Sequence, residues 1–142
     1  MFQFRACAIL AGLCLWSLAA AGGDGDNKKV LITMKWKGSV EDRELRKDAP
    51  ECITSYKGLD KVWKAWKIKG QAPKLDFSEI MVIAVYSSGS QLSFIDPTLD
   101  EKGNLQVAGF GTRDLRPGFR FVLGVVSKAG VATVNGKKLP KE

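Results

Sequence analysis

Three arginines fall within eight residues in the segment Thr112-Arg113-Asp114-Leu115-Arg116-Pro117-Gly118-Phe119-Arg120. Guanidinium groups present forked donors to planar anions, so Arg113, Arg116 and Arg120 could form a clamp for carboxylate or phosphate. The more economical reading of the same residues is a bend at Pro117-Gly118 braced by an Arg–Asp pair. A second cationic group is Lys57, Lys61, Lys64, Lys67, Lys69 and Lys74, set against Asp60 alone. It holds most of the net charge of +7, because residues 75–142 carry eight basic and seven acidic side chains. A surface of this kind attracts acidic polysaccharide, phospholipid headgroups or an acidic protein. Its structural counterpart is a solvated helix face that keeps apolar side chains turned inward.

Catalytic constellations are scarce. The chain has no histidine, which excludes Ser-His-Asp and Cys-His catalysis, HExxH zinc chemistry and His-ligated metals. Asp96, Asp100 and Glu101 lack the ligand order of an EF-hand, and with Pro97 and Gly103 they read as turn residues. Ser87-Ser88-Gly89-Ser90 lacks GxSxG spacing and reads as a loop. We therefore expect no catalytic residue, no metal and no cofactor.

The elements that position these residues begin after an export signal. Met1–Arg5 supplies a charge, residues 6–18 are apolar apart from Gly12 and Ser17, and Ala19-Ala20-Ala21 supplies small residues, the pattern of a signal peptide cleaved near Ala21. The apolar stretch is shorter than the roughly 20 residues of a membrane span. Residues 22–28 read as a flexible leader and 29–142 as a single β-rich domain, secreted or periplasmic, with no transmembrane span after cleavage. Cys7 and Cys14 depart with the signal. Cys52 is then the sole cysteine and reads as a small buried apolar group.

Period-two alternation places Val30, Ile32, Met34 and Trp36 on one side of a strand over residues 29–37. Ser39–Pro50 reads as an exposed loop or frayed helical turn. Leu59, Val62, Trp63 and Trp66 fall at i, i+3, i+4 and i+7, which predicts one amphipathic helix over 58–67 with Asp60 in its first turn. Ten residues hold no helix alone in water, so this one must rest its tryptophans on a sheet. Ile80–Tyr86 is apolar on both faces, the mark of a covered central strand. Strands follow at 91–95, ended by Asp96-Pro97, then at 105–110 and at 119–126. Gly124 in the last suggests a bulge or a close backbone contact. Asn135-Gly136 predicts a hairpin joining 131–134 to 137–139. The sum is an α+β domain: an antiparallel-rich sheet or small sandwich of about seven strands with one short helix.

The order Ile53-Thr54-Ser55, Trp63-Lys64-Ala65-Trp66, Pro73-Lys74-Leu75-Asp76-Phe77-Ser78 and Met81-Val82-Ile83-Ala84-Val85 resembles the PrcB-like C-terminal domain of exported bacterial proteins, over about residues 53–86. That family's Thr-Gly-Gly-Tyr-like stretch is replaced here by Ser87-Ser88-Gly89-Ser90-Gln91-Leu92. The resemblance implies a non-enzymatic β-rich module that associates with or stabilises another exported protein, and it transfers no functional residue. Two expectations follow: a binding module for another envelope protein, or an electrostatic binder of anionic polysaccharide or lipid through the lysine face. Nucleic acid fits poorly with export.

Overall fold

A strand apolar on both faces needs cover on both, and the computed structural model, which describes residues 26–141, supplies it. In chain order the elements are β1 (Lys28–Lys29), β2 (Met34–Val40), a 3-10 turn (Arg43–Arg46), β3 (Cys52–Ile53), α1 (Tyr56–Ala65), β4 (Ile80–Ser87), β5 (Leu92–Leu99), β6 (Asn104–Gly111), β7 (Phe119–Ser127), β8 (Thr133–Val134) and β9 (Lys137–Lys138). One sheet has the order β2-β7-β4-β3 and the other β1-β5-β6-β8-β9. All pairings are antiparallel except β6 with β8. The signal-like segment and most of the expected leader lie outside the described residues, and β1 begins at Lys28 within that leader.

The four-stranded sheet is the middle layer. Val82 and Ala84 of β4, with Phe119, Phe121, Leu123 and Val125 of β7, join Leu59, Val62, Trp63 and Trp66 of the helical segment in one core. The intervening residues Met81, Ile83, Val85, Val122 and Val126 face Leu105, Val107 and Val134 of the second sheet in another. The two cores are the two faces of one pleat. Trp66 is central to the helical one. Its ring lies 4.9 Å from Phe121, 5.6 Å from Phe119 and 5.7 Å from Tyr86, the last two edge-on, the geometry aromatic quadrupoles favour. The Tyr86 hydroxyl donates to the Pro50 carbonyl, and burial, reinforced by Glu51, raises its pKa far above the usual phenol value.

The helix is anchored as its spacing requires, with Leu59, Val62, Trp63 and Trp66 buried. It starts two residues earlier than the pattern suggests, because Ser55 caps it by accepting from the Gly58 amide at 3.0 Å. Asp60 is consequently outside the first turn, and it pairs instead with Lys64 one turn on, at 2.6 Å. That hydrogen bond raises the Lys64 pKa.

Four other expectations change. The strand expected over 29–37 is two: the Val30 amide donates to Pro97 O in one sheet, the Thr33 amide donates to Val125 O in the other, and the chain crosses between them. Val30 and Ile32 therefore pack between the sheets, whereas Trp36 packs on the helix side. Alternation cannot distinguish one strand from a segment that changes sheets. Ser39 and Val40, read as loop, close β2. Asp96-Pro97 does not end β5, which passes through a register shift between Ile95 and Thr98; a bulge tolerates the missing proline donor. Gly124 makes no bulge, since register runs unbroken on both sides. Its close contact is with side chains, not backbone: a Cβ there would stand 2.8 Å from the Phe94 ring and 3.0 Å from Ile32 Cγ2.

The hairpin forms at the expected turn, between strands of two residues each rather than over 131–134 and 137–139. Asn135 and Gly136 take φ of 48° and 78°, the left-handed pair of a type I′ turn. The Asn135 side chain also bonds Val107, accepting from its amide at 2.8 Å and donating to its carbonyl at 3.0 Å, so it substitutes for a strand neighbour. Cys52 is buried in β3.

Gly124→Ala should destabilise the fold by about 1–3 kcal/mol through overpacking, read as a fall in the urea midpoint at unchanged slope. Phe94→Leu in the same background should recover part of the loss, because it withdraws the ring that the new methyl meets.

Candidate functional site

At the end of the sandwich where β4 turns into β5 and β6 returns to β7, the two sheets leave a groove of about 670 Å³. Its walls come from three places. Lys37, Gly38 and Ser39 belong to β2, and Arg120, Phe121 and Val122 to β7. Ser90–Ser93, Phe110 and Thr112 come from the facing sheet and its loops. The lining holds two cations and several hydroxyls but no carboxylate. Phe110, 71% exposed, stands at the groove as an apolar element.

Beside the groove runs a free sheet edge. β2 pairs with β7 on one side only, and no described strand pairs with the other. The remaining edge strands, β1, β3 and β9, are two residues each, whereas β2 is seven. Alternate N–H and C=O groups of β2 therefore point to solvent with no strand to receive them. The register places Lys35, Lys37 and Ser39 opposite Gly124, Val122 and Arg120, all on the face toward the second sheet. Met34, Trp36, Gly38 and Val40 occupy the helix-side face, Trp36 and Val40 packing on its core.

The loops singled out by the sequence build the groove's end wall. Asp114 Oδ1 accepts from the Ser90 amide at 3.0 Å and the Ser90 hydroxyl at 3.1 Å, and Oδ2 accepts from Arg116 Nε at 3.0 Å. The Arg116 amide donates to Ser88 O at 2.9 Å. Hydrogen bonds from Thr112, then from the Ser90 amide and hydroxyl, with Arg116 adding to them, hold the Asp114 carboxyl far below the usual carboxylate range. Gly118, at φ 69°, seats the loop on the end of β2: a Cβ there would lie 1.8 Å from Val40 O.

The three arginines thus have different situations. Arg116 is engaged by Asp114, Arg120 donates to Pro117 O at 3.2 Å and lines the groove, and Arg113 is exposed outside the lining. Ser87 Oγ accepts from the Gly89 amide and Ser88 Oγ from Arg46, loop-bracing roles for both hydroxyls. Of the acidic residues, Asp96 pairs with Lys29 at 3.4 Å, and Asp100 Oδ1 accepts from the Lys102 and Asn104 amides, closing a turn. Among the described residues no group of three Cys, Asp or Glu side chains is placed to hold a metal.

Lys57, Lys61, Lys64, Lys67 and Lys69 are all exposed. They lie on or just beyond α1, which covers the opposite face of the middle sheet from the groove, so lysine face and groove are separate surfaces. Lys61 also borders a more apolar cavity of about 480 Å³ whose lining includes Leu45, Ile53, Trp66 and Pro140.

Sequence reasoning found Arg120 and missed Lys35, Lys37 and Ser39. The alternation of Lys35 and Lys37 on the polar side of a strand is visible in the sequence, whereas Ser39 reads as loop, and no local pattern says which side of the strand goes unpaired. Comparison of the chain with protein-family models, with curated proteins and with solved structures finds no match. Among the described residues no helix is long and apolar enough to cross a membrane.

Asp114→Asn should loosen the end wall and speed amide exchange at Ser90 and Arg116. The sign with pH follows from the depressed carboxyl: its stabilisation is fully present above the ordinary carboxylate pKa of about 3.9. It declines as pH falls below that value. The gap in thermal midpoint between wild type and Asp114→Asn should therefore be constant near neutrality and shrink on acidification below about pH 4.

Proposed function

We propose that this chain is a non-enzymatic binding module, exported by its N-terminal segment, that holds another envelope protein at the open end of its sandwich. The observation that carries this reading is the seven-residue β2, whose outer edge no described strand pairs, running beside a cationic groove. Proteins normally blunt, shorten or cover such edges because unpaired backbone groups recruit other strands. Here β1, β3 and β9 each cover only two residues of the strand behind them, whereas β2 is a seven-residue strand whose whole outer side no described strand pairs, so a partner that supplies a strand gains a row of backbone hydrogen bonds. The serines that might suggest chemistry are engaged in loop bracing, which supports a binding role over a catalytic one. Resemblance to the PrcB-like domain points the same way.

A second reading rests on the exposed lysines of α1. Lys64 pairs with Asp60, and the others extend the positive face toward solvent, where anionic polysaccharide or lipid headgroups would bind in a salt-dependent manner. Edge and helix lie on different faces, so they can be separated.

A photo-cross-linking residue placed at Ser39 should yield a defined adduct with one envelope protein, while the same residue at Lys69 should yield none. Adducts formed equally at both positions, or at neither, would overturn the edge reading. Lys57→Glu, Lys61→Glu and Lys67→Glu together should leave the Ser39 adduct intact and abolish any binding to phosphatidylglycerol vesicles at low salt.

A further inference from the structure

We propose that the occupant of the β2 edge is an extended segment of a partner protein in which acidic and apolar residues alternate, added to the sheet as a fifth strand. This deepens the binding-module reading and rests on it.

The pattern follows from the two faces of β2. A strand laid along its free edge continues the pleat, so its side chains alternate between the same two environments. On the face toward the second sheet it would stand beside Lys35 and Lys37, both exposed, with Arg120 one strand further in and no carboxylate in the groove lining. Carboxylates at alternate positions would complete that face. On the helix-side face it would stand beside Met34, which is 43% exposed, and the half-buried Trp36. Apolar side chains there would finish covering surface that the helix leaves open. Neither face alone specifies the partner; together they demand the alternation.

A second copy of this chain fits the edge badly. Antiparallel pairing of β2 with itself opposes Lys37 to Lys37 when centred on Lys37, or Lys35 to Lys37 twice when centred on Trp36, and like charges directly opposed are destabilising. Basic or uncharged strands would leave the lysines without partners. The competing structural account is that Lys35 and Lys37 only guard the edge against self-pairing. It makes a different prediction, since a guard has no preferred guest.

The test uses three synthetic nonapeptides, alternating Glu and Val, Lys and Val, or Ser and Val, with the mature protein. Amide hydrogen exchange along β2 is the readout. The Glu-Val peptide should slow exchange of alternate β2 amides, with affinity falling at least tenfold between low and high salt. Lys35→Glu with Lys37→Glu should lose that affinity at least tenfold and transfer preference to the Lys-Val peptide. Equal protection by all three peptides would overturn the acidic specificity while leaving strand addition in place. No β2 protection by any peptide, or an acidic polysaccharide that perturbs Lys35 and Lys37 without protecting β2, would overturn the inference. Under either of those results a Ser39 adduct would show that the binding-module reading survives on other chemistry, and its absence would remove both.

Discussion

The fold depends on a central pair of strands with no wet face. β4 and β7 pair over eight residues, and Met81–Val85 with Phe121–Val126 are buried without a break, side chains alternating between two cores. Odd-numbered residues of β7 from Phe119 to Val125 serve the helix, whereas Val122 and Val126 serve the second sheet. Neither core can be removed without exposing half of the same strands to water. By the usual measure each fully buried apolar side chain there contributes roughly 1.5–3 kcal/mol. Trp66 illustrates the coupling, since one ring joins the helix end, β4 through Tyr86 and β7 through two phenylalanines.

From that arrangement the functional surface follows by elimination. With β4 and β7 at the centre, the edges of their sheet fall to β3 and β2. β3 is short, and beyond it Glu51 O receives the Ala84 amide at 3.0 Å. β2 has no comparable cover. At the same end, Gly118 and the Asp114 network draw the β6–β7 loop onto Val40 and the Ser87–Ser90 loop, so the groove beside β2 has a braced wall. Rigid loops on a sheet scaffold are the common setting for recognition.

Charge is distributed between two surfaces rather than gathered on one. The larger share sits outside α1, where it solvates a helix whose other face is filled with tryptophan. The smaller share, Lys35, Lys37 and Arg120, sits where the sheet is open. A count of lysines points to the first surface, while backbone valence points to the second. Unsatisfied hydrogen-bonding groups in a row are more selective than a diffuse positive field, because a partner must match register as well as charge.

Periodicity and turn chemistry are enough to place several elements. Leu59, Val62, Trp63 and Trp66 had to share one helix face, Ile80–Tyr86 had to be covered on both sides, and Asn135-Gly136 had to turn a hairpin. Each is a local rule with a single solution, and the α+β sandwich with one helix is their sum. Tertiary structure alone decided that the alternating run after Lys29 changes sheets, that β5 continues through Asp96-Pro97, and that Gly124 makes room for Phe94. It also decided that Arg113, Arg116 and Arg120 part company. These depend on contacts between residues far apart in the chain, to which a period of two is blind. The candidate site belongs to that second kind: Lys35 and Lys37 were legible as polar positions of a strand, but an edge exists only once every other strand has found its neighbour.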